Sequence, residues 1–133
     1  MASSSYFYAL GRRKRATARV RLHSGKGEVK VNDKDLAEYF AGSKSLSYEV
    51  LKPFTTLELD PEKFNISAKV EGGGHASQVD AIRLGIAKAL VVMNEDYRGT
   101  LRKAELLGRD SRERERKKYG LRSARKQRQF TKR

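Results

Sequence analysis

The segment from His75 to Met93 carries apolar side chains at intervals of three and four residues, at Val79, Ile82, Ile86, Leu90 and Met93. In a helix of 3.6 residues per turn, these side chains form one continuous stripe. The segment is therefore predicted to be the principal helix. Because such a stripe must be buried against another layer of structure, the rest of the chain has to supply that layer.

Two other segments alternate apolar and polar residues, which is the pattern of a half-buried strand. One is ATARVRL, whose inward residues are Ala16, Ala18, Val20 and Leu22. Its outward residues are Thr17, Arg19 and Arg21, and the two arginines make that face cationic. The other is KFNISAKVEG, whose inward residues are Phe64, Ile66, Ala68 and Val70. Both segments are predicted to be strands.

The first of these strands is followed by SGKG, which is turn chemistry, and then by EVKVN, which places Val29 and Val31 inward. The two segments together predict a β-hairpin. Upstream, YFYAL is aromatic enough to extend the first strand or to precede it. The intervening GRRKR is predicted to be a bulge or a loop.

Three shorter helices are predicted beside these elements. NDKDLAEYF has Asn32 or Asp33 as its N-cap, and its inward residues are Leu36, Tyr39 and Phe40. GSKSLSYEVLKPF has Ser45 as its cap and ends before Pro53, and its inward residues are Leu46, Val50 and Leu51. After a break at NED, YRGTLRKAELL predicts a final helix that Gly99 weakens, with inward residues Leu101, Ala104 and Leu107.

The order of these elements predicts an α+β fold, in which helices pack on one face of a small, mostly antiparallel sheet. From Gly108 onward the apolar periodicity stops. We therefore expect a globular domain over residues 1–107 and a long, extended, basic C-terminal arm over residues 108–133 that becomes ordered on its partner.

The formal charge of +14 is concentrated in two places. Residues 11–21 hold six basic and no acidic side chains, and residues 98–133 hold fifteen basic and four acidic ones. Residues 23–97 hold nine basic and twelve acidic side chains, as an ordinary globular surface does. A membrane surface and a nucleic acid are both polyanions, but a long arm without counter-charge favours nucleic acid.

Several classes of function are excluded or disfavoured by what the sequence contains. The chain has no cysteine, so disulfides, thiolate metal sites and thiol nucleophiles are excluded. No apolar run reaches the roughly 18 residues that a membrane helix needs, and MASSSYFYAL lacks the pattern of a secretory signal. A soluble, cytosolic protein without a membrane partner is expected.

The strongest catalytic candidate is GGGHAS, a glycine-rich turn that leads into the principal helix. Glycines and helix N-H groups bind phosphate well, but neither a P-loop nor a dinucleotide fingerprint is present. We predict that Gly72, Gly73 and Gly74 contact an RNA phosphate, and a tight strand-to-helix connection is the alternative. His23 and His75 belong to no triad or metal cluster, so no cofactor, metal or small-molecule substrate is predicted.

Two aromatic residues of the arm, Tyr119 and Phe130, are set among arginines and lysines. They are predicted either to anchor the arm on protein or to stack on bases or sugars, and the flanking cations favour nucleic acid.

Four blocks of the sequence together resemble one known family. They are GRRKRATARVRL, GKGEVKVND, KVEGGGHASQVDAIRLGIAKAL and LRKAELLGRDSRERERKKYGLRSARKQRQFTKR. In this order they resemble the bacterial-type small-subunit ribosomal protein number nine, a universal ribosomal protein family. The resemblance runs from about Tyr6 to the last residue.

The resemblance implies a fold like that of the second domain of ribosomal protein five, with a left-handed β-α-β crossover. It implies a non-enzymatic, structural constituent of the head of the small ribosomal subunit, bound to the 3′ major domain of the rRNA and to neighbouring ribosomal proteins. It also implies that the end of the arm approaches the anticodon stem-loop of peptidyl-site tRNA during translation. The short segment before Tyr6 favours a bacterial cytoplasmic ribosome, and a protein encoded in an organelle would look the same.

Carried over by position, the resemblance implies two sets of binding residues. The rRNA-binding cations are Arg12, Arg13, Lys14, Arg15, Arg19, Arg21, Arg109, Arg112, Arg114, Arg116, Lys117, Lys118, Arg122, Arg125, Lys126 and Arg128. The tRNA-binding residues are Gln129, Thr131, Lys132 and Arg133. A free-standing nucleic-acid compactor and a small phosphotransferase are the rival hypotheses. The first does not need a patterned helix and sheet, and the second lacks an evident base and metal-binding carboxylates.

Overall fold

Five strands form one sheet in the computed structural model, which describes residues 6–108, 116, 118–120, 122 and 124–126. The strands are β1 (Phe7–Arg13), β2 (Ala16–Ser24), β3 (Val29–Val31), β4 (Lys34–Asp35) and β5 (Phe64–Glu71). Their order in the sheet is β1-β2-β5-β3-β4, and every neighbouring pair is antiparallel except β3 with β5. The helices are α1 (Leu36–Tyr39), α2 (Lys44–Val50), α3 (Lys52–Thr56), α4 (His75–Met93) and α5 (Tyr97–Lys103). The predicted α+β class with a mostly antiparallel sheet is confirmed.

The predicted hairpin of β2 with β3 is wrong, because β2 pairs with β1 on one side and with β5 on the other. The prediction that GRRKR is a bulge or a loop is also wrong for its first three residues, because Gly11–Arg13 belong to β1. Gly11 continues β1 and pairs in register with Ala18, and the pair of Arg13 with Ala16 closes a two-residue turn. Lys14 in that turn has φ 52°, a left-handed conformation that suits two-residue hairpin turns.

Helix α4 has the predicted limits and packs across β1 and β2. Its buried stripe meets the alternating inward residues of β2 and β5, all of which are buried except the half-buried Phe64. The closest approach is made by Gly11 of β1, where an added Cβ would lie 2.6 Å from the Gly85 nitrogen and would also strike the Ala81 carbonyl. Gly85 faces β2, where an added Cβ would lie 2.5 Å from Val20 Cγ2. Two glycines thus allow the helix to contact the sheet backbone.

The predicted helix caps are wrong, although the inward residues Leu36, Phe40 and Val50 are buried. Asn32 and Asp33 do not cap α1, because both have positive φ, 51° and 68°, in the turn between β3 and β4.

The cap of α2 is Ser43 rather than Ser45, since the Ser43 hydroxyl accepts a hydrogen bond from the Leu46 N-H at 3.4 Å. Helix α2 ends at Val50, before Pro53 as predicted. Pro53 then lies in the first turn of a separate helix, α3, where a missing N-H is tolerated.

In the final helix, Leu101 is buried as predicted, but Ala104 is exposed and Leu106 is buried more deeply than Leu107. The helical periodicity stops at Lys103, where α5 ends. None of the helices in the described ranges is long and apolar enough to cross a membrane.

Replacement of Asn32 by alanine is expected to lower the free energy of unfolding by about 2 to 3 kcal/mol. The Asn32 side chain accepts a hydrogen bond from the Val70 N-H at 2.9 Å and donates one to the Val70 carbonyl at 3.0 Å. Alanine leaves both backbone groups without this partner and must adopt the same positive φ. Urea denaturation measures the loss, and Asp33→Gly, a change at the neighbouring exposed position of positive φ, is the control that should be nearly neutral.

Candidate nucleic-acid interface

The turn between β1 and β2 presents a cluster of cations at one end of the sheet. Arg12, Lys14 and Arg15 are exposed there, and the hairpin turn is so short that the three side chains stay close together. Three like charges on a tight turn repel one another unless an anion lies among them. This end of the protein therefore suits phosphate groups.

The glycine loop that precedes α4 packs directly against this turn. Gly72 and Gly73 have φ of 78° and 70°, and a Cβ added at Gly73 would lie 3.1 Å from the Ala16 Cβ. A Cβ at Gly72 would strike the Arg15 carbonyl. The Gln78 side chain also donates a hydrogen bond to the Gly72 carbonyl at 3.1 Å. Close packing and left-handed backbone thus account for the first two glycines.

The other side of the loop is exposed from Gly72 through Ala76. An added Cβ at Gly74, the residue before α4, would meet no other atom within 4 Å. No acidic residue lies in the first turn of this helix. The loop and the cationic turn form one continuous surface, so the predicted contact of Gly72–Gly74 with phosphate stays a prediction that this geometry permits.

Arg13 has a different environment from the other cations of the turn. Its side chain is only 14% exposed, and its Nε lies 3.4 Å from an Asp80 oxygen. The same carboxylate lies 3.2 Å from Arg83, which also contacts Glu49 at 2.7 Å. Because strand residues alternate between faces, Arg13 lies on the helix side of β1 and Arg12 on the opposite side. Arg13 is thus held in an ion-pair network within the protein.

Arg12 and Arg13 are therefore expected to respond differently to substitution by glutamine. Arg12→Gln should weaken RNA binding, with an apparent salt slope smaller by about one unit, and leave stability unchanged. Arg13→Gln should lower the free energy of unfolding by about 1 to 2 kcal/mol, because Asp80 loses a largely buried partner. Parallel salt titrations of RNA affinity and thermal melts measure the two effects. Equal effects of both variants on both measurements would contradict this assignment.

The beginning of the C-terminal arm lies at the same end of the molecule. A cavity there is lined by Arg12, Arg13, Asp80, Arg83, Leu84, Glu105, Leu106 and Gly108. The first basic segment and the start of the second, which are separated in the sequence by residues 22–97, are thereby brought together. This convergence could not be predicted from charge counts alone.

The opposite end of the body carries acidic residues. Asp60 and Glu62 precede the start of β5, and Glu95 and Asp96 follow the end of α4. Hydrogen bonds and the charge of Arg98 lower the pKa of Glu95, on the exposed surface at the start of α5. These carboxylates lie beside Lys63 and Arg98, whereas the hairpin turn carries three exposed cations within four residues, Arg12, Lys14 and Arg15.

The outward face of the sheet is the second cationic surface. Arg19 and Arg21 are exposed while Ala18 and Val20 are fully buried, so the predicted register of β2 is confirmed. Two further exposed cations on this face were missed by the sequence analysis, Lys30 of β3 and Lys69 of β5. Their register opposite Ser67 and Arg19 could not be known before the strand order was known.

Tyr6 and Tyr8 were also missed as candidate binding residues. Both are about half exposed on the outward face of the sheet, and the Arg21 guanidinium lies 5.1 Å from the centre of the Tyr6 ring. The alternation in YFYAL was a signal that could have assigned them to this face.

Part of the predicted binding set in the arm is described by the structure. Its cations are exposed, and they are Arg116, Lys118, Arg122, Arg125 and Lys126. Tyr119 is fully exposed, and the Arg122 N-H donates a hydrogen bond to the Lys126 carbonyl at 2.9 Å. The remaining predicted residues lie outside the described residues, and they are Arg109, Arg112, Arg114, Lys117, Arg128, Gln129, Phe130, Thr131, Lys132 and Arg133.

The histidine of the glycine loop has a structural environment. The His75 ring lies edge-on against the Phe40 ring, and their centroids are 5.5 Å apart. The centroid of the His75 ring is 5.8 Å from that of the Tyr39 ring. Within the described ranges, no three histidine, aspartate or glutamate residues come together in a way that could hold a metal ion. The chemistry that this surface offers is the binding of anions by arginine, lysine and backbone N-H groups.

Comparisons with known proteins agree over nearly the whole chain. A family described as ribosomal protein S9/S16 matches residues 11–133. The chain is 50% identical over 125 residues to the small ribosomal subunit protein uS9 of Cytophaga hutchinsonii, covering 94% of this chain and 96% of that protein. It is 43% identical over 131 residues to the small ribosomal subunit protein uS9 of Solidesulfovibrio magneticus, covering 98% of this chain and 99% of that protein.

Proposed function

Since the chain belongs to the ribosomal protein S9/S16 family, we propose that it is a structural constituent of the small ribosomal subunit that holds rRNA through the cationic end of its body and through its arm. As a member of this family it is a structural protein of the small subunit that takes part in translation, not an enzyme. The observation that carries the proposal is the meeting of the two basic segments at one end of the fold.

The rRNA contacts of the body are proposed for two surfaces. At the hairpin end, Arg12, Lys14 and Arg15 bind phosphates beside the glycine loop, while Arg13 holds the turn against α4. On the outward face, Arg19 and Arg21 provide further cations. Arginine suits these sites because its planar guanidinium binds phosphate in a bidentate manner and stacks on bases. Such contacts position the protein on folded RNA.

The arm is proposed to follow the rRNA from the cationic end. Its density of positive charge favours phosphate neutralisation with release of counterions, which orders a segment that has no core of its own. Gly120 has φ 83°, a left-handed conformation that lets the chain change direction and that other residues adopt less readily. We propose that the arm binds the 3′ major domain of the rRNA, in the head of the small subunit of a cytoplasmic ribosome. Other ribosomal proteins of the head are then the neighbours of this protein.

A finer assignment of the fold belongs to the same proposal. Strands β3 and β5 are parallel neighbours joined through β4 and three helices. We assign this connection to the left-handed β-α-β crossover of a fold like the second domain of ribosomal protein five.

The last residues of the arm, Gln129 and Thr131–Arg133, are proposed to lie near the anticodon stem-loop of peptidyl-site tRNA. Removal of Thr131–Arg133 is then expected to weaken tRNA binding at that site by about 1 to 3 kcal/mol, the contribution of well-made charged hydrogen bonds. The loss should be similar for different tRNAs, because phosphate contacts carry no sequence information. Filter binding to subunits that contain the shortened protein measures it, and unchanged affinity would remove this role while leaving assembly untouched.

The function as a whole is tested by quantitative mass spectrometry of small subunits purified through a high-salt gradient from the cells that make this protein. About one copy per particle is expected, because loosely held polycations dissociate as salt weakens phosphate binding. Its absence from those particles would overturn the proposal and leave a free nucleic-acid-binding protein as the better account.

A further inference from the structure

We propose that the outward face of the sheet is a stacking platform for unpaired nucleotides, on which Tyr6 and Tyr8 contact bases while the cations beside them bind the flanking phosphates. This inference rests on the proposed function and names the kind of RNA that this face binds. It differs from the phosphate surface at the hairpin turn, which suits the backbone of any RNA.

The first support is the arrangement of side chains in rows across the strands. One row runs from Tyr8 through Arg21 and Ser67 to Lys30, as the register of β1, β2, β5 and β3 requires. The next row runs from Leu10 through Arg19 to Lys69. Side chains opposite one another on neighbouring strands lie about 5 Å apart at Cβ. Aromatic rings therefore occupy one edge of the face, with cations continuing from them across the sheet.

The second support is the exposure of the rings. Tyr6 is 48% exposed and Tyr8 is 47% exposed, whereas Ala9 and Gly11 on the other face of β1 are buried. In the described part of the chain, α4 packs on the opposite face of this sheet, against β1 and β2. Two adjacent half-exposed aromatic side chains offer apolar surface to a partner at low cost in conformational entropy.

The third support is charge. The two rows contain four cations, Arg19, Arg21, Lys30 and Lys69, against one carboxylate, that of Asp35 in β4, which lies opposite Lys30 at the far edge of the sheet. A polyanion is therefore the favoured occupant of this face, and the Arg21 guanidinium lies over the Tyr6 ring, so a planar group already contacts that ring. An acidic peptide would satisfy the cations but would leave the rings without a partner. A duplex keeps its bases stacked on one another, whereas unpaired bases stack on aromatic side chains between phosphate contacts.

The test uses the full-length protein and a 12-nucleotide oligouridine that contains 4-thiouridine. Irradiation should crosslink the probe to Tyr6 or Tyr8, as located by mass spectrometry of the digested protein. Substitution of both tyrosines by alanine should weaken binding of this single strand by about tenfold or more, since base stacking on one aromatic residue already contributes a factor of about ten. Binding of a stable RNA hairpin with the same number of phosphates should be unchanged.

Two control variants make the loss specific. Y6F/Y8F keeps both rings and should retain the single-strand affinity, which separates stacking from the hydroxyl groups. Tyr48→Ala removes a tyrosine that is 60% exposed on α2, away from the sheet, and should leave binding unchanged. A thermal melt of each variant checks that the fold is kept.

Crosslinks confined to the arm, or equal losses of affinity for the single strand and the hairpin, would overturn the platform. A photoreactive group placed at position 8 in purified small subunits supplies the second readout. Its crosslinking to an unpaired rRNA nucleotide is expected. Crosslinking to a neighbouring protein instead would overturn the platform while leaving the proposed function intact, because the protein would still be part of the subunit.

Discussion

Replacement of Gly11 by alanine is expected to lower the free energy of unfolding by about 3 kcal/mol, at the upper end of the cost of overpacking. The new methyl group would meet the backbone of α4 at Ala81 and at the Gly85 nitrogen, 2.6 Å away. Backbone atoms of a buried helix cannot rotate away as a side chain can, so α4 must shift as a whole. Urea denaturation measures the loss.

Gly85→Ala is the comparison variant that distinguishes this backbone clash from general disruption of the core. Each glycine variant is combined with Val20→Ala in a double-mutant cycle. The methyl group of Gly85→Ala would meet Val20 Cγ2 at 2.5 Å, so shortening Val20 should relieve about 1 kcal/mol or more of its cost. The same shortening should not relieve Gly11→Ala, whose clash is with backbone. Rescue of both variants to the same extent would show that the helix position is adjustable.

Gly99→Ala is the matched glycine control. Gly99 lies inside α5, and an added Cβ there would meet nothing within 4 Å. Alanine should therefore stabilise the protein by about 0.5 to 1 kcal/mol, through the difference in helix propensity. Opposite signs for Gly11 and Gly99 are the expected result.

Truncation of the chain after Gly108 is expected to weaken RNA binding on the order of a hundredfold or more at physiological salt. Residues 109–133 hold twelve lysines and arginines and three acidic residues. If half of these cations contact phosphates, the salt slope of the affinity should become shallower by about 4 to 5 units. Affinities for the small-subunit rRNA fragment at several salt concentrations measure both quantities.

The same truncation should leave the body folded, because the core described by the structure lies within residues 7–107. An unchanged melting temperature is therefore the internal control. A truncated protein that kept the full salt slope would show that the body alone makes the phosphate contacts, and the arm would then need another role.

The strongest periodic patterns predicted the fold where burial alone decides the structure. The limits of α4 and β5 and the inward residues of β2 followed from spacing, because a misplaced stripe or a slipped register would expose apolar side chains. The caps Asn32 and Ser45 were mispredicted because a cap depends on local backbone conformation. Asn32 serves the neighbouring strand through Val70 instead, which no local pattern indicates.

The sequence predicted which segments of the candidate site are positively charged, but it did not predict that these segments lie together in the fold. Runs of arginine and lysine marked the hairpin turn and the arm, but their meeting near Gly108 depends on the path of α5 back toward the turn. The separate role of Arg13 also required the structure, because Asp80 is reached only through the packing of α4 on β1. The place of Lys69 in the cationic face also required the structure, because only the pairing of β5 with β2 brings Lys69 opposite Arg19.

Strand order has a further consequence for how the protein comes to be folded. The pairs β1–β2 and β3–β4 are hairpins between neighbouring strands, whereas β5 enters between them from a distant part of the sequence. Such non-local pairing slows folding, since a long loop must close before its contacts are gained. During synthesis from the N-terminus, β5 and α4 emerge before the arm. The body can therefore complete its sheet before the basic arm, its most strongly RNA-attracting segment, is available to cellular RNA.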